Sequence, residues 1–315
     1  MVAPAAGDGR GAEADGADPE SAARSRPAVT VPAVRSRKRR GGAEPLVMLT
    51  AYDAPGARIA DAAGVDIVLV GDSLANNVLG YEDTLQVTVA DMAHHTAAVA
   101  RARPAALVVA DMPWLSYHLG ADDAVRNAAA LVRAGAMAVK LEGGRPRVPV
   151  VEAIVAAEIP VMGHLGLTPQ SVLAMGGYRV QGRDLDAARA LVDDARALAG
   201  AGCFAIVLEG VPDVVAAAIT DAVHVPTIGI GAGPSCDGQV LVFHDVLGLA
   251  HGPRPKFVRP YADLTAAAVE AIAAYAADVR SGAFPGDAES YHAPPEVAEA
   301  LGLGPGAQGR AAPAR

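Results

Sequence analysis

The chain has 315 residues, of which 52% are hydrophobic but only 4% aromatic, and a formal net charge of -9 at neutral pH. That length accommodates two small domains or one large α/β barrel, and a core poor in rings must be built from Ala, Val, Leu and Ile, which suits close helix-on-strand packing. The acidic balance argues against nucleic acid as the main partner, and no apolar run approaches the ~20 residues of a membrane helix, so the expectation is a soluble, cytoplasmic protein that handles small molecules.

Residues 1–43 are rich in Ala, Gly, Pro, Arg and acids and show no hydrophobic periodicity, which predicts a disordered arm. Its acidic residues (Asp8, Glu13, Asp15, Asp18 and Glu20) fit poorly with a transit peptide. Its basic run over 35–40 reads as a solvated charge cluster. Residues 44–292 alternate between two patterns. Short β-branched apolar runs at 46–53, 66–72, 106–112, 138–142, 160–164, 205–209, 226–230 and 239–243 make eight candidate strands. Most are continuously apolar, the mark of strands buried on both faces of a parallel sheet.

The segments between these runs carry helical signals. Thr88 with Asp91 forms a capping-box pattern before 92–102. Residues 122–134 place Val125, Leu131 and Val132 on one side and stop at Gly135. Residues 185–199 have Leu at helical spacing and end at Gly200, and 212–222 and 265–280 complete the set. Residues 293–315 resemble the arm in composition and are expected to form a flexible tail. Eight strands alternating with helices describe a (β/α)8 TIM barrel, although an open doubly wound sheet fits the same alternation.

In such a barrel the chemistry sits at the C-terminal ends of the strands. Five successive apolar runs end on ionisable groups: Asp72 beside Ser73, Asp111, Lys140 with Glu142, His164, and Glu209. Taken singly, each has a structural explanation, because an Asp after a strand commonly caps the next helix. Gathered at one barrel mouth, they need partners, because a buried charge is costly unless it is paired, hydrogen-bonded or metal-bound. Three carboxylates with one lysine suit a hard divalent cation. Lys140 and Glu142 are two apart, so a strand points both the same way.

Other signals carry less. The Gly229-Ile-Gly231-Ala-Gly233 run lacks dinucleotide-loop spacing and reads as a strand-end turn. Adjacent His94 and His95 point in different directions on a helix. Cys203 and Cys236 have no neighbouring base, are too few for a disulfide framework, and read as structural thiols. The long segment 166–183 is a candidate lid.

The motifs Val-Gly-Asp72-Ser73-Leu, Thr84-Leu-Gln-Val-Thr-Val89, Asp111-Met-Pro113 and Val139-Lys-Leu-Glu-Gly-Gly144 resemble the ketopantoate hydroxymethyltransferase family. So do Gly163-His-Leu-Gly-Leu-Thr-Pro-Gln-Ser171, Gly176-Gly-Tyr-Arg-Val-Gln-Gly-Arg183 and Gly229–Gly233, and the likeness runs over about 46–292. The resemblance implies a barrel related to the phosphoenolpyruvate mutase and isocitrate lyase group. It also implies transfer of a one-carbon unit from 5,10-methylenetetrahydrofolate to 3-methyl-2-oxobutanoate, giving 2-dehydropantoate for pantothenate synthesis. By that pattern Asp72 and Asp111 hold Mg2+, and Glu142 supports it through water. Asp72 and Asp111 thereby also face the 2-oxo acid, Ser73 and Lys140 bind it, and His164 supports the site. Glu209 is the implied proton acceptor, and the implied assembly is a homodecamer.

Departures from the pattern cluster after Ser73, where Ala75-Asn76-Asn77 replace Gly and apolar residues; Gln86 and Glu289 are further differences. Lyases of the related group tend to carry a Lys-Cys-Gly loop, and neither Cys203 nor Cys236 has that context.

Overall fold

In the computed structural model, which describes residues 26–38, 44–250, 252 and 254–303, each predicted apolar run becomes a strand. These are β1 (Leu46–Thr50), β2 (Ile67–Val70), β3 (Leu107–Asp111), β4 (Ala138–Glu142), β5 (Val161–Gly166), β6 (Ala205–Glu209), β7 (Thr227–Ile230) and β8 (Gly238–Leu241). They pair in parallel in sequence order. Leu46–Leu49 of β1 pair with Gly238–Leu241 of β8, which closes the sheet into a barrel and removes the open-sheet alternative.

Helices α1 (Val31–Ser36), α2 (Ala54–Ala62), α3 (Val89–Arg101), α4 (Ala121–Arg133), α5 (Val148–Ala156), α6 (Leu185–Gly200) and α7 (Asp213–Ala222) accompany the strands. The capping box at Thr88 and Asp91 forms as the pattern predicts. Helices α2 and α5 are not evident in the sequence because each carries a proline near its start. Proline there is compatible with a helix, since its missing N–H falls among groups that lack an intrahelical partner anyway. Asp53 caps α2 by accepting from Gly56 N at 2.7 Å. The crossover from β7 to β8, residues 231–237, contains no helix. Outward-facing Val47 of β1 is 50% exposed, whereas β2 to β5 are buried along their length.

Two apolar layers result. One lies between strands and helices and includes Val68, Val70, Leu131, Leu141, Ile154, Leu198 and Leu208. The other fills the barrel interior with Leu46, Met48, Ile67, Leu69, Leu107, Val109, Met162 and Val207. Alternation along each strand sends neighbours to opposite layers.

The composition of residues 1–43 predicts disorder, but residues 26–38 are ordered. Thr30 caps α1, and Val34 is fully buried in the barrel-interior layer, with Val29 and Val31 packed against that layer. Three ion pairs tie this segment to the end of α2 and to residues just before β2 and β8: Arg26 to Asp61 at 3.0 Å, Arg37 to Asp66 at 3.6 Å and Lys38 to Asp237 at 2.8 Å. Lys38 also donates to Thr220 O at 2.7 Å. Three valines among arginines and prolines make too short a pattern to register as periodic. Residues 1–25 and 39–43 of that arm lie outside the described residues.

The barrel unit comprises the described residues up to Val246 together with 250–259. A second unit contains 247–249 and the described residues from Pro260 on. It carries α8 (Leu264–Ser281), begun by an Asp263 cap and ended by Gly282 at φ 76°, and α9 (Pro295–Ala300) within the predicted tail. Residues 304–315 lie outside the described residues.

Replacing Val34 with Ala removes two buried methyl groups from the barrel's closed end. The expected loss is about 2 kcal/mol from transfer and residual cavity, read as a lower denaturant midpoint; an unchanged midpoint contradicts the packing of Val34 into the interior layer.

Candidate active site

Parallel register brings the predicted ionisable groups together on the C-terminal rim. Asp111 of β3 pairs with Lys140 of β4, Glu142 with His164 of β5, and Gly166 with Glu209 of β6. Asp72 follows β2 in a tight turn and is fixed by its own backbone, whose N–H donates to Asp111 Oδ2 at 3.0 Å. Lys140 Nζ lies 2.9 Å from Asp111 Oδ1 and 3.3 Å from His164 Nδ1. His164 Nδ1 is also 3.4 Å from Glu142 Oε1, while its Nε2 is 3.3 Å from Glu209 Oε2 without the alignment of a hydrogen bond. Ser73 Oγ shares a 2.8 Å hydrogen bond with Tyr52 Oη.

All of the sequence-predicted site residues therefore surround one mouth. Asp72, Asp111, Lys140, Glu142 and His164 are each less than 5% exposed, whereas the Glu209 side chain is 17% exposed. The buried groups form the floor, and Glu209 faces the open side.

Burial makes this floor electrostatically demanding. Desolvation, then the charges of Asp111 and Glu142, push the Asp72 carboxyl well above the usual carboxylate range, against the opposing pull of Lys140 and Gln170. Desolvation works against the Lys140 ammonium, but Asp111, Glu142 and Asp72 outweigh it and hold the proton firmly. His164 is opposed by burial and by Lys140; the adjacent Glu142 carboxylate, helped by Glu209, nevertheless raises it to about 9. The floor thus holds a protonated lysine and a readily protonated imidazole against three carboxylates. Asp111 Oδ1 is buried without an aligned hydrogen-bond donor, and among the described residues its close cation is Lys140.

Two floor residues lack any strong signal in the sequence. Gln170, 5% exposed, donates from Nε2 to Asp72 Oδ2 at 2.8 Å and to Met112 O at 3.0 Å, and from its backbone N to Glu142 Oε2 at 3.0 Å. Tyr117 donates to Gln170 Oε1 at 2.6 Å and accepts from Glu142 N at 3.2 Å. Neither carries charge at neutral pH and both follow strands within loops. The only sequence pointer to Gln170 is its place in the Thr-Pro-Gln-Ser run.

The weaker candidates separate from the site. His95 Nδ1 lies 2.7 Å from Tyr52 O and serves α3 packing. Both cysteines are buried, and desolvation pushes the Cys203 thiol up to about 12, as expected of structural thiols. At Gly231 a Cβ would meet the Phe257 ring at 2.7 Å with φ at +62°, so the glycine run is a turn. A cavity of about 420 Å3 lined by Gly231, Gly233, Cys236, Gln239 and Phe257 offers no charged side chain and shares no lining residue with the site. In the candidate lid, Thr168 and Gln170 are buried, whereas Leu173 and Tyr178 are exposed beside Gly176 and Gly177, both at positive φ. Asn77, one of the departures after Ser73, donates to Ser73 O at 2.9 Å, and Asn76 donates to Tyr81 O at 3.0 Å.

Removing the only lysine of the floor tests the charge balance. Lys140→Met should cost about 3–5 kcal/mol, the range for breaking a buried ion pair on one side, read by chemical denaturation at neutral pH. A loss below 1 kcal/mol, the level of an exposed pair, would show that the carboxylates do not rely on it.

The sequence model of the family described as ketopantoate hydroxymethyltransferase matches residues 28–287. A 3-methyl-2-oxobutanoate hydroxymethyltransferase 2 of Bradyrhizobium diazoefficiens is 57% identical over 273 residues, 87% of this chain and 92% of that protein. A 3-methyl-2-oxobutanoate hydroxymethyltransferase of Methylobacterium sp. is 58% identical over 272 residues, 86% of this chain and 94% of that one. Among solved structures, 2,3-dimethylmalate lyase, a PEP mutase/isocitrate lyase superfamily member, superposes with a TM-score of 0.54 at 21% identity, covering 88% of this chain and 96% of that one. At that identity the likeness speaks to the barrel alone.

Proposed function

The chain belongs to the ketopantoate hydroxymethyltransferase family, and from that premise we propose that its barrel mouth enolises 3-methyl-2-oxobutanoate with Mg2+ bound and joins it to the one-carbon unit of 5,10-methylenetetrahydrofolate, giving 2-dehydropantoate. The observation that carries the Mg2+ part of this reading is the surplus of buried carboxylate over buried cation on the rim.

The donor set fits such an ion. Asp72 and Asp111 are adjacent hard oxygen donors, and Asp111 Oδ1 lacks an aligned hydrogen-bond donor. Among the described residues no three His, Cys, Asp or Glu side chains form a ready cage. That agrees with Mg2+, which keeps several waters and uses one or two carboxylates together with substrate oxygens. Asp72 and Asp111 would be the direct ligands and Glu142 the support through water. When bound, the ion supplies Lewis-acid polarisation of the ketone and carboxylate oxygens of the oxo acid.

The protein's own groups account for the rest. Lys140 and Ser73 bind the oxo acid, and the Lys140 ammonium stands fixed where negative charge develops as the C3–H bond breaks. Glu209, on the open side, accepts that proton, and the electron pair moves toward the ketone oxygen. His164, 3.3 Å from Glu209 and 3.4 Å from Glu142, keeps the base oriented between floor and opening. The nucleophilic C3 then bonds to the methylene carbon brought in above the exposed edge of the site; the two carbon–nitrogen bonds to the folate break, water supplies the hydroxyl oxygen of the product, and the folate nitrogens take up the protons as tetrahydrofolate leaves. We assign the cytoplasm and a homodecamer by the same family reading; sedimentation decides the latter.

Tetrahydrofolate-dependent formation of 2-dehydropantoate should disappear on chelation and return with Mg2+; product formation indifferent to the chelator would sink the metal assignment. Glu209→Gln should still bind the oxo acid while its C3–H exchange with deuterated solvent falls by about 10²–10⁴, the usual range for losing a general base. Exchange at the wild-type rate would place the base elsewhere.

A further inference from the structure

Gln170 joins more of the rim than any of the ionisable residues. Its side-chain nitrogen holds Asp72, which follows β2, and the Met112 carbonyl, which follows β3. Its backbone nitrogen holds Glu142 at the end of β4. Its side-chain oxygen takes the Tyr117 hydroxyl proton, and that hydroxyl oxygen in turn accepts from Glu142 N. Glu142, Tyr117 and Gln170 therefore close a hydrogen-bonded ring, and the Gln170 amide extends it to Asp72.

The polarity of this ring leaves no freedom in the amide. Nε2 faces two acceptors and Oε1 faces a donor, so a flipped amide would set nitrogen against the Tyr117 proton and oxygen against a carboxylate. The residue is buried, so water cannot relieve that mismatch. A glutamate here would present no donor to Asp72 and would add a further charge to a floor already rich in carboxylates. A shorter residue would not span from the start of the β5 loop to Asp72. The backbone contact to Glu142 and the side-chain contact to Asp72 come from one residue, so the two carboxylates are held at a set separation and tilt.

We propose that Gln170, locked by Tyr117, is a positioning residue that sets the spacing of Asp72 and Glu142 and thereby makes the site select a small divalent cation over a larger one. This rests on the metal-dependent reading of the mouth given above. The physical reason is the difference in tolerance between ions. Mg2+ demands near-ideal octahedral geometry at about 2.0–2.1 Å, whereas Ca2+ accepts longer, irregular coordination at about 2.3–2.6 Å. A frame that prevents the carboxylates from relaxing favours the first ion. A loosened frame costs the first ion most.

The test is calorimetric titration of the full-length enzyme, freed of metal, with Mg2+ and separately with Ca2+, each with 3-methyl-2-oxobutanoate present. In Gln170→Met, Mg2+ affinity should fall roughly 10–100-fold, the range for losing groups that orient metal ligands, while Ca2+ affinity falls much less, so the Mg2+/Ca2+ ratio drops. Tyr117→Phe keeps the Gln170 amide but removes the hydroxyl that locks it, and it should lower the ratio in the same direction by a smaller factor. If Gln170→Met does not fold, Tyr117→Phe alone decides the matter through that ratio. Equal losses for both ions, or an unchanged ratio in the variants, would make Gln170 a structural brace only and overturn the proposal. Wild-type enzyme that binds no Mg2+ with the oxo acid would instead overturn the reading of the mouth itself. Steady-state kinetics give a second readout: the Mg2+ concentration for half-maximal rate rises in both variants, and saturating Mg2+ restores most of kcat in Tyr117→Phe.

Discussion

Three carboxylates buried beside one lysine are the constraint from which the rest of this molecule can be understood. Asp111 lies against Lys140, Glu142 against His164, and Asp72 against Asp111 through its backbone N–H, all nearly out of reach of water. Like charges in a medium of low polarity repel strongly and are poorly solvated. Such a group is stable only if the surrounding scaffold is rigid enough to prevent its members from moving apart and hydrating. The closed sheet provides that rigidity, since each rim residue is held by hydrogen-bonded neighbours on both sides.

Register is the means by which the scaffold does this. Asp111 stands beside Lys140 and Glu142 beside His164 because the parallel ladders align them. A shift of one residue in any of these strands would turn its charged end outward into the helix layer and bring an apolar residue to the rim. The apolar interior, from Leu46 and Met48 to Val207, is what forbids the shift, since the same slip would also move those side chains out of their layer. Core packing and the chemistry of the mouth are thus fixed by one alternation.

Much of this was legible in the amino-acid sequence, for identifiable reasons. Strands buried on both faces leave uninterrupted apolar runs, and every such run became a strand. An ionisable residue ending an apolar run is conspicuous, so Asp72, Asp111, Lys140, Glu142, His164 and Glu209 stood out. Gln170 and Tyr117 did not, because a neutral amide and a loop phenol announce nothing until folding brings them against Glu142. Helices α2 and α5 were hidden by prolines at their starts, where proline does no harm. The ordered segment around Val34 was hidden by its setting, three valines in a stretch whose overall composition is that of an unfolded chain.

That segment has a consequence for how the barrel is held closed. Lys38 is tied to Asp237, just before β8, and Arg37 to Asp66, just before β2, so one short segment clasps both neighbours of β1 at the ends opposite the rim. The seam where the first and last strands meet is thus clasped at the end of the barrel opposite the chemistry, by residues that are not themselves part of the charged rim.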